Sequence, residues 1–462
     1  MQRGLAERRK RILGDPRVTL LIVELSLPLF VSGSLQSLYS IIDTFWLSRL
    51  GSAALGTPTV SWPYRGVLMS LGFGLASSLS ALAGQYIGAG DYRRASRNVG
   101  QVLGLLLAVG VPGTIAFYAA RHLYIDATRM PEDVAALAEG YIAVTLAGVP
   151  FTYVFLVFNF ALGAAGDTRT PMKVSVATTL LNFALDPLMI FTLHMGVVGA
   201  AAATLASNVV AGSYAAYSLL TGAHGLRVRP GDLLPEGRTL KLIARVGGPT
   251  TAQRLLTTVG FVVMMRIVGG LGTPVVAAYS IGQVMLSIDH IIVFPLVRST
   301  SIIIAQSLGA GLLDRAKRAL QAGLRLVVAL VGLYVAALVA ARDHFIGVFT
   351  GDPQVYSAAS RMILIFAPSV LGFDLTILAD STARSSGHTL LVSLLGAARL
   401  WLLRIPLSYT LAYRLGLGDT GLWLGMAASN WATGAAALAW LLSYRWLRPI
   451  VEPAAPRRAG TV

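Results

Sequence analysis

The sequence predicts an all-α membrane protein with twelve transmembrane helices, arranged as two six-helix bundles related by a pseudo-twofold axis along the membrane normal. Three observations predict this fold: apolar segments recur along the chain, basic residues alternate between loops, and the two halves repeat. Of the 462 residues, 55% are hydrophobic and only 13% are charged, about half the charged fraction of a soluble domain. The low charge extends over the whole length, which excludes a soluble domain with a single anchor.

The apolar segments are long enough to cross a bilayer as helices, which requires about 20 residues. A membrane β-barrel would show short alternating segments instead. Polar residues divide the chain into twelve predicted spans, at 18–48, 53–87, 97–121, 134–164, 170–194, 197–221, 240–268, 274–308, 317–341, 355–384, 390–414 and 420–447. The basic segment before the first span resembles the start of a signal peptide, but the apolar run after it is too long and contains Glu24. We therefore expect an uncleaved first span.

Basic residues concentrate in alternate loops, in the N-terminal segment, in a hydrophilic linker at 222–238 and in the tail at 448–462. Because Lys and Arg favour cytoplasmic loops, we expect a multi-pass protein of the cell membrane with both termini and the linker in the cytoplasm. An even number of spans fits this alternation. The net charge of +16 lies in short loops and not on one domain, so we do not expect a nucleic-acid partner.

The two halves of the chain repeat with a constant offset. Gln85-Tyr-Ile-Gly-Ala-Gly90 matches Gln306-Ser-Leu-Gly-Ala-Gly311, an offset of 306 − 85 = 221 residues. The same offset relates three further pairs: Pro28 and Pro249, Gly51 and Gly272, and Gly166 and Gly387. We predict a first lobe at 1–221 and a second at 239–447, joined by the linker. Six spans in each lobe give both lobes the same orientation, so the axis runs along the membrane normal with a cavity between the lobes.

Two carboxylates inside predicted spans are the strongest functional signal, since burying a charge there costs at least about 2.5–3.5 kcal/mol. Asp43 lies in span 1 and Asp186 in span 5, with Asn182 one helical turn before Asp186. At the repeat offset their counterparts are Met264 and Leu407. Packing requirements should repeat in both lobes and these acids do not, which favours a functional site over carboxylates that are merely hydrated near helix ends.

Two facing carboxylates in a medium of low dielectric disfavour joint ionisation, so a site of this kind can bind protons reversibly. A Na⁺ ion could instead neutralise Asp43 and Asp186, with Asn182 and Thr204 supplying oxygen atoms. Either ion would couple binding to conformation. Pro28 removes a backbone hydrogen bond within span 1 and permits a hinge there, although a static kink is the alternative.

Motifs of soluble enzymes are absent from the sequence. Cysteine does not occur, the histidines have no metal-ligand spacing, and there is no phosphate-binding Gly-Lys-Ser/Thr loop. We therefore expect a transporter and not an enzyme, without a cofactor, driven by an ion gradient and not by its own ATP hydrolysis. A membrane-embedded enzyme is the least favoured alternative.

The chain resembles the multidrug and toxic compound extrusion (MATE) family across nearly its whole length. The resemblance depends on the paired lobes, Pro28, Asp43, the two Gln-x-x-Gly-Ala-Gly segments, Ala165-Gly-Asp-Thr168 and the Leu-Asp186-Pro element. Within the family the chain is similar to the prokaryotic DinF-like branch, which places its coupling acids on spans 1 and 5. Other branches carry a glutamate in span 7 where this chain has Thr257, so a second-lobe glutamate mechanism is not expected.

The resemblance implies a V-shaped, alternating-access exporter of cationic or amphipathic small molecules in exchange for H⁺ or Na⁺, with span 1 bending at Pro28. It also implies a polar site made of Gln36, Asn159, Asn182 and Thr204, with Tyr141 nearby. Leu156 replaces an asparagine of some relatives, so the polar network is not identical. We assign Asp374, in span 10, to substrate binding or structure.

A flippase of lipids or lipid-linked saccharides is the alternative function. Flippases have strongly basic central cavities, and the spans between the lobes offer Arg65, Arg254 and Arg298. Because two fused lobes can form a complete transport unit, we expect a monomer.

Overall fold

The computed structural model describes residues 2–128, 130–234 and 236–451. Each predicted span corresponds to a helix or to consecutive helices: Val18–Ser48 (span 1), Ala53–Ala89 (span 2), Tyr92–Ala119 (span 3), Glu132–Ala147 with Val149–Ala164 (span 4), Arg169–Thr192 (span 5), Gly196–Thr221 (span 6), Gly237–Gly269 (span 7), Thr273–Gly309 (span 8), Leu313–Ala340 (span 9), Pro353–Ser386 (span 10), Thr389–Arg414 (span 11) and Gly418–Leu442 (span 12). Within the described residues, ten helices are long and apolar enough to cross a membrane, and the pair of span 4, bent by 45°, raises that number to eleven. Span 12 is a 25-residue helix that packs against span 10.

Two large hydrophobic cores correspond to the two halves of the chain, with an exchange in each direction. The core of the first half contains Ile243 from the start of span 7. The core of the second half contains residues from the start of span 1, including Val18, Leu21 and Ile22. Ser26, one turn further on, donates a hydrogen bond to the carbonyl of Pro295 in span 8 at 3.2 Å. The part of span 1 that follows Pro28 packs against span 5, where the Tyr39 ring stacks on Phe183. Pro28 therefore lies where span 1 passes from one half of the molecule to the other.

The repeated Gln-x-x-Gly segments of spans 2 and 8 meet each other. A side chain at Gly88 would lie 2.0 Å from the carbonyl oxygen of Gln306, and one at Gly309 would lie 1.8 Å from the carbonyl oxygen of Gln85. Only glycine permits this backbone contact. The contact is reciprocal, as expected at a twofold axis.

The two glutamines extend the same symmetry. Gln85 Nε2 donates to the carbonyl of Ser385 at 2.9 Å, and Gln306 Nε2 donates to the carbonyl of Ala164 at 2.7 Å. The acceptors are related by the same offset as the donors, since 385 − 164 = 306 − 85 = 221. The pseudo-twofold axis predicted from the repeat therefore passes between spans 2 and 8.

A basic helix before span 1, Gln2–Gly14, lies across both halves at the end of the molecule where the glycine contact is found. Its Arg8 forms an ion pair with Asp167 of the first half. Arg315 of span 9, in the second half, donates to the carbonyls of Ile12 and, at 2.9 Å, of Asp15. The helix thus ties the two halves together at this end.

The 222–238 linker is fastened to the first half by one buried carboxylate. Asp232 is only 4% exposed and accepts two hydrogen bonds of 2.6 Å from the guanidinium of Arg93 in span 3. It also accepts one from the backbone N–H of Arg229 at 2.9 Å. Burial favours the neutral form of Asp232, but these hydrogen bonds outweigh it and hold the pKa of the carboxyl below its ordinary value.

Asp232→Asn is expected to destabilise the protein by about 1–2 kcal/mol at pH 7, because it leaves Arg93 without its charged partner. The folded-state pKa is lowered, so this contribution is present above the unfolded pKa of about 4 and is lost as the pH falls through the folded-state pKa. Thermal unfolding in detergent at a series of pH values measures the difference from wild type, which should shrink in acid. Asp314→Asn, at a 91% exposed carboxyl, is the control. A difference that does not change with pH would contradict the ion pair.

Candidate ion-coupling and substrate site

A cavity of about 330 Å³ lies within the first half, between spans 1, 2, 4, 5 and 6. The polar and charged residues on its wall include Gln36, Tyr39, Asp43, Arg65, Tyr141, Thr145, Asn182, Thr204 and Asn208. The wall combines one acid and one base with neutral hydrogen-bonding groups, as expected for a site that binds polar or charged species within a membrane protein.

Span 1 presents three of these residues on one face. Gln36, Tyr39 and Asp43 are separated by three and four residues, which places their side chains on the same side of a helix. All three reach the cavity, and Asp43 is half-buried in its wall. The local helix geometry of span 1 therefore positions the acid, and the segment beyond Pro28 carries it.

Asp186 lies behind the cavity wall, fully buried, next to Asn182. In the orientation that gives both amide atoms of Asn182 a partner, its nitrogen donates to Asp186 Oδ2 at 3.0 Å. Its oxygen accepts from the backbone N–H of Thr204 at 3.2 Å. The α-helix of span 5 ends at Pro187, and the next turn is a wider π-helix, Leu188–Thr192. The carboxylate thus sits where the regular helix is interrupted.

A hydrogen bond from span 1 reaches the same residues. Tyr39 Oη and Thr204 Oγ1 are 2.8 Å apart, and the Tyr39 ring stacks on Phe183 with centroids 6.5 Å apart. Tyr39, Thr204, Asn182 and Asp186 form a continuous series of contacts across spans 1, 6 and 5, which we call the polar chain. The charge of Asp43 acts on both Tyr39 and Asp186. The two predicted acids are therefore close enough for the charge of one to affect the ionisation of the other.

The structure brings most of the residues predicted from the sequence together. Gln36, Asp43, Tyr141, Asn182 and Thr204 line one cavity, and Asp186 lies directly behind it.

Asn159 and Asp374 lie elsewhere. Asn159 faces the second half, where its carbonyl and side-chain oxygens accept from Arg298. Asp374 is buried within the second half, beside Asp289.

Sequence reasoning missed Tyr39, which lies one turn before Asp43, and did not place Arg65 beside the acids. The helical spacing from Asp43 could have identified Tyr39.

The site has the chemistry for a proton or a monovalent cation. Carboxylate, amide and hydroxyl oxygens of Asp43, Asp186, Asn182 and Thr204 are hard donors of the kind that suit Na⁺. In the part of the chain that the structure describes, no group of three His, Cys, Asp or Glu residues could hold a metal ion. A site with two carboxylates and neutral oxygens fits reversible neutralisation by H⁺ or Na⁺.

A model of the MatE family matches residues 28–188 and 249–410. The chain belongs to the MatE family. The two matched segments begin at Pro28 and Pro249, the prolines related by the internal repeat. The family consists of membrane transporters and not of enzymes, and its members need no cofactor.

Relatives of this MatE protein align over most of their length. The probable multidrug resistance protein YoeA of Bacillus subtilis is 25% identical over 414 residues, 87% of this chain and 89% of the relative. An FAD transporter of Shewanella oneidensis is 28% identical over 451 residues, 96% and 97% of the two chains. The probable multidrug resistance protein NorM of Thermotoga maritima is 26% identical, over 93% and 94%.

Solved structures confirm the predicted fold. A multidrug resistance MATE family transporter of the MOP superfamily, in an outward-facing conformation, superimposes with a TM-score of 0.87 at 23% identity, over 94% of this chain and 97% of that one. A MOP superfamily transporter from Pyrococcus furiosus, described as having a binding pocket of reverse polarity, gives 0.87 at 24% identity, with the same coverage of both chains. These transporters have twelve transmembrane helices in two bundles.

Proposed function

We propose that this MatE transporter exports amphipathic small molecules by alternating access in exchange for H⁺ or Na⁺, with Asp43 and Asp186 as the coupling carboxylates. The polar chain beside Asp43 carries the proposal, because it links three spans to two acids that have no counterparts in the second half. The named multidrug resistance relatives support export of small molecules. Asn182 and Thr204 would complete the site for Na⁺.

Span 1 provides a route from ion binding to the lobes. Its first part belongs to the core of the second half, whereas Asp43 faces the cavity of the first half. Pro28 lies between these parts and cannot donate a helical hydrogen bond to Glu24, so bending there is less costly than elsewhere in the helix. Neutralising Asp43 removes its repulsion from Asp186 of span 5, and this change bends span 1 at Pro28.

The family relatives indicate the substrate class more clearly than the cavity does. Asp43 and Arg65 place one charge of each sign on the cavity wall, so the wall does not by itself select cations. The relative from Shewanella oneidensis is named for FAD, which combines an aromatic system with phosphate groups. We therefore propose amphipathic substrates, a class that includes the cations implied by the family resemblance.

Flipping of lipids or lipid-linked saccharides is the second candidate. Arg254 and Arg298, which lie between the two halves, favour it because arginine binds phosphate well. The remaining parts of the proposal are a monomer in the cell membrane, both termini in the cytoplasm, and lobes at 1–221 and 239–447 joined by the 222–238 linker. The final residues of the tail at 448–462 lie outside the described residues.

The proposal is tested with purified protein in liposomes. Efflux of ethidium, a cationic dye, and of carboxyfluorescein, an anionic dye, is followed under a pH gradient and, separately, under a Na⁺ gradient. One of the gradients should accelerate efflux at least about tenfold over liposomes without a gradient, and it identifies the ion. Protein-free liposomes control for leakage. Efflux that ignores both gradients would exclude antiport, and movement of lipid-linked saccharides would then establish the flippase.

A further inference from the structure

Three arginines meet where the two halves of the molecule join. Arg254 lies near the middle of span 7, Arg298 lies on span 8 and Arg384 lies on span 10. The charge of Arg384 acts on both of the others. We call these three residues the interlobe arginine cluster. They are distinct from the cavity that contains Asp43.

Two aromatic rings of the first half form the other side of the junction. The guanidinium of Arg254 is 3.5 Å from the centroid of the Phe73 ring, and that of Arg298 is 4.8 Å from the centroid of Phe160. The two rings contact each other edge to face, with centroids 5.3 Å apart. The two guanidinium groups therefore flank a pair of aromatic rings at the junction, and charged and aromatic surfaces lie side by side, which suits a planar aromatic molecule.

The cluster carries more positive than negative charge. Asp380 is its acidic member, and it forms an ion pair with Arg384 one turn away on the same helix. Arg298 donates to the neutral carbonyl and amide oxygens of Asn159. Arg254 is an exposed residue, and its guanidinium donates no hydrogen bond to any of the described residues. Two guanidinium charges thus lie at the level of the membrane interior without a carboxylate, which is costly unless an anion joins them.

We infer that the interlobe arginine cluster binds the anionic group of an aromatic substrate, such as a phosphate, sulfonate or carboxylate, or the anionic headgroup of a lipid. Two forked guanidinium groups match the oxygens of such a group, and the half-buried Phe73 offers apolar surface beside it. The inference deepens the proposed function, on which it rests in calling the ligand a substrate. If Arg254 served only to hold the halves together, its guanidinium would be expected to donate hydrogen bonds to protein groups, and it donates none to the described residues.

Binding of two dyes with the same ring system tests the charge preference. Carboxyfluorescein and rhodamine 123 share a xanthene ring, but the first is an anion and the second a cation. Fluorescence anisotropy with purified protein in a neutral detergent, without any gradient, measures both affinities. We expect carboxyfluorescein to bind at least about tenfold more tightly than rhodamine 123, because charged hydrogen bonds differ by that much or more.

Variants that remove a positive or a negative charge distinguish a role of the cluster in anion binding from a purely structural role. Arg254→Gln should weaken carboxyfluorescein binding about tenfold, and Arg254→Lys, which keeps the charge, should weaken it less. Asp380→Asn removes the acid that opposes the cluster and releases Arg384, so it should tighten binding severalfold. Arg325→Gln, at an exposed arginine of span 9, should change nothing. Gel filtration confirms that each variant is folded.

Competition distinguishes the two sources of the anionic group. Displacement of carboxyfluorescein by short-chain phosphatidylglycerol, and not by phosphatidylcholine, assigns the cluster to a lipid headgroup, whereas no displacement assigns it to a soluble anion. Equal binding of the two dyes, or an unchanged affinity in both Arg254→Gln and Asp380→Asn, would overturn the inference. Since binding is measured without a gradient, failure of ion-coupled export would leave this result standing.

Discussion

Asp43→Asn is expected to abolish gradient-driven export while the protein folds and inserts normally. The carboxylate is the acid of the cavity wall that is directly accessible from the cavity, since Asp186 is covered by Asn182. An amide cannot take up a proton at neutral pH and attracts Na⁺ weakly. Because coupling free energies between sites are about 1–3 kcal/mol, losing the coupling should slow export by roughly 5–150-fold.

The fold should tolerate this substitution because Asp43 is half-buried and its carboxylate forms no hydrogen bond or ion pair with any residue that the structure describes. Asparagine has nearly the same shape. Thermal unfolding in detergent should therefore be unchanged, and liposome efflux under each gradient measures the loss of function. Residual efflux should no longer respond to the gradient.

Asp289→Asn is the matched control for Asp43→Asn. Asp289 is also a membrane carboxyl and is fully buried, but it lies in the second half beside Asp374. If the coupling site lies in the first half, as we propose, Asp289→Asn retains gradient-driven export. If instead Asp43→Asn exports at the wild-type rate and Asp289→Asn does not, the coupling site lies in the second half and our assignment is wrong.

Much of the fold could be predicted because membrane helices leave a strong signal in the sequence. Lipid imposes a minimum apolar length, and loops carry the charge, so the predicted 274–308 and the observed Thr273–Gly309 nearly coincide. The end of span 12 was less accurate, at 447 against Leu442, because aromatic and apolar residues (Tyr444, Trp446 and Leu447) continue after the helix stops. The repeat offset predicted the symmetry of the two lobes, and the reciprocal contact of Gly88 and Gly309, which was not predicted, follows that symmetry.

The site was predicted only where one helix determines it. Asp186 and Asn182 are one turn apart in any helix, so their contact was expected. The partners of Asn159 and Asp374 depend on how helices from both halves pack, and hydropathy does not report which helix faces which. For the same reason the sequence did not indicate that the first part of span 1 packs into the core of the second half.

Gly88→Ala is expected to separate the two halves at the end that carries the basic N-terminal helix. The new methyl group would lie 2.0 Å from the carbonyl oxygen of Gln306 and 2.7 Å from its Cα. These are backbone atoms, which cannot rotate away as a side chain can. Overpacking of this kind costs about 1–3 kcal/mol or more, enough to reverse an equilibrium between conformations that differ by a few kcal/mol.

Distance measurements between spin labels can detect this separation. The chain contains no cysteine, so Arg97→Cys and Arg318→Cys introduce two labels at exposed, symmetry-related positions, with 318 − 97 = 221. Gly88→Ala should lengthen the distance between them. It should also reduce export about tenfold or more, because a shift of about 1.4 kcal/mol between two states changes their ratio tenfold. Gly332→Ala, at a helical glycine with no neighbouring atom within 4 Å, should leave both quantities unchanged.

The symmetry provides a second and independent check. A methyl group at Gly309 would lie 1.8 Å from the carbonyl oxygen of Gln85, the reciprocal of the first contact. Gly309→Ala should therefore lengthen the same distance and lower export to a similar extent. Because each substitution by itself prevents the close approach, the double variant should add little to either one. Effects that simply add, or an unchanged label distance in both single variants, would show that this contact does not hold the two halves together.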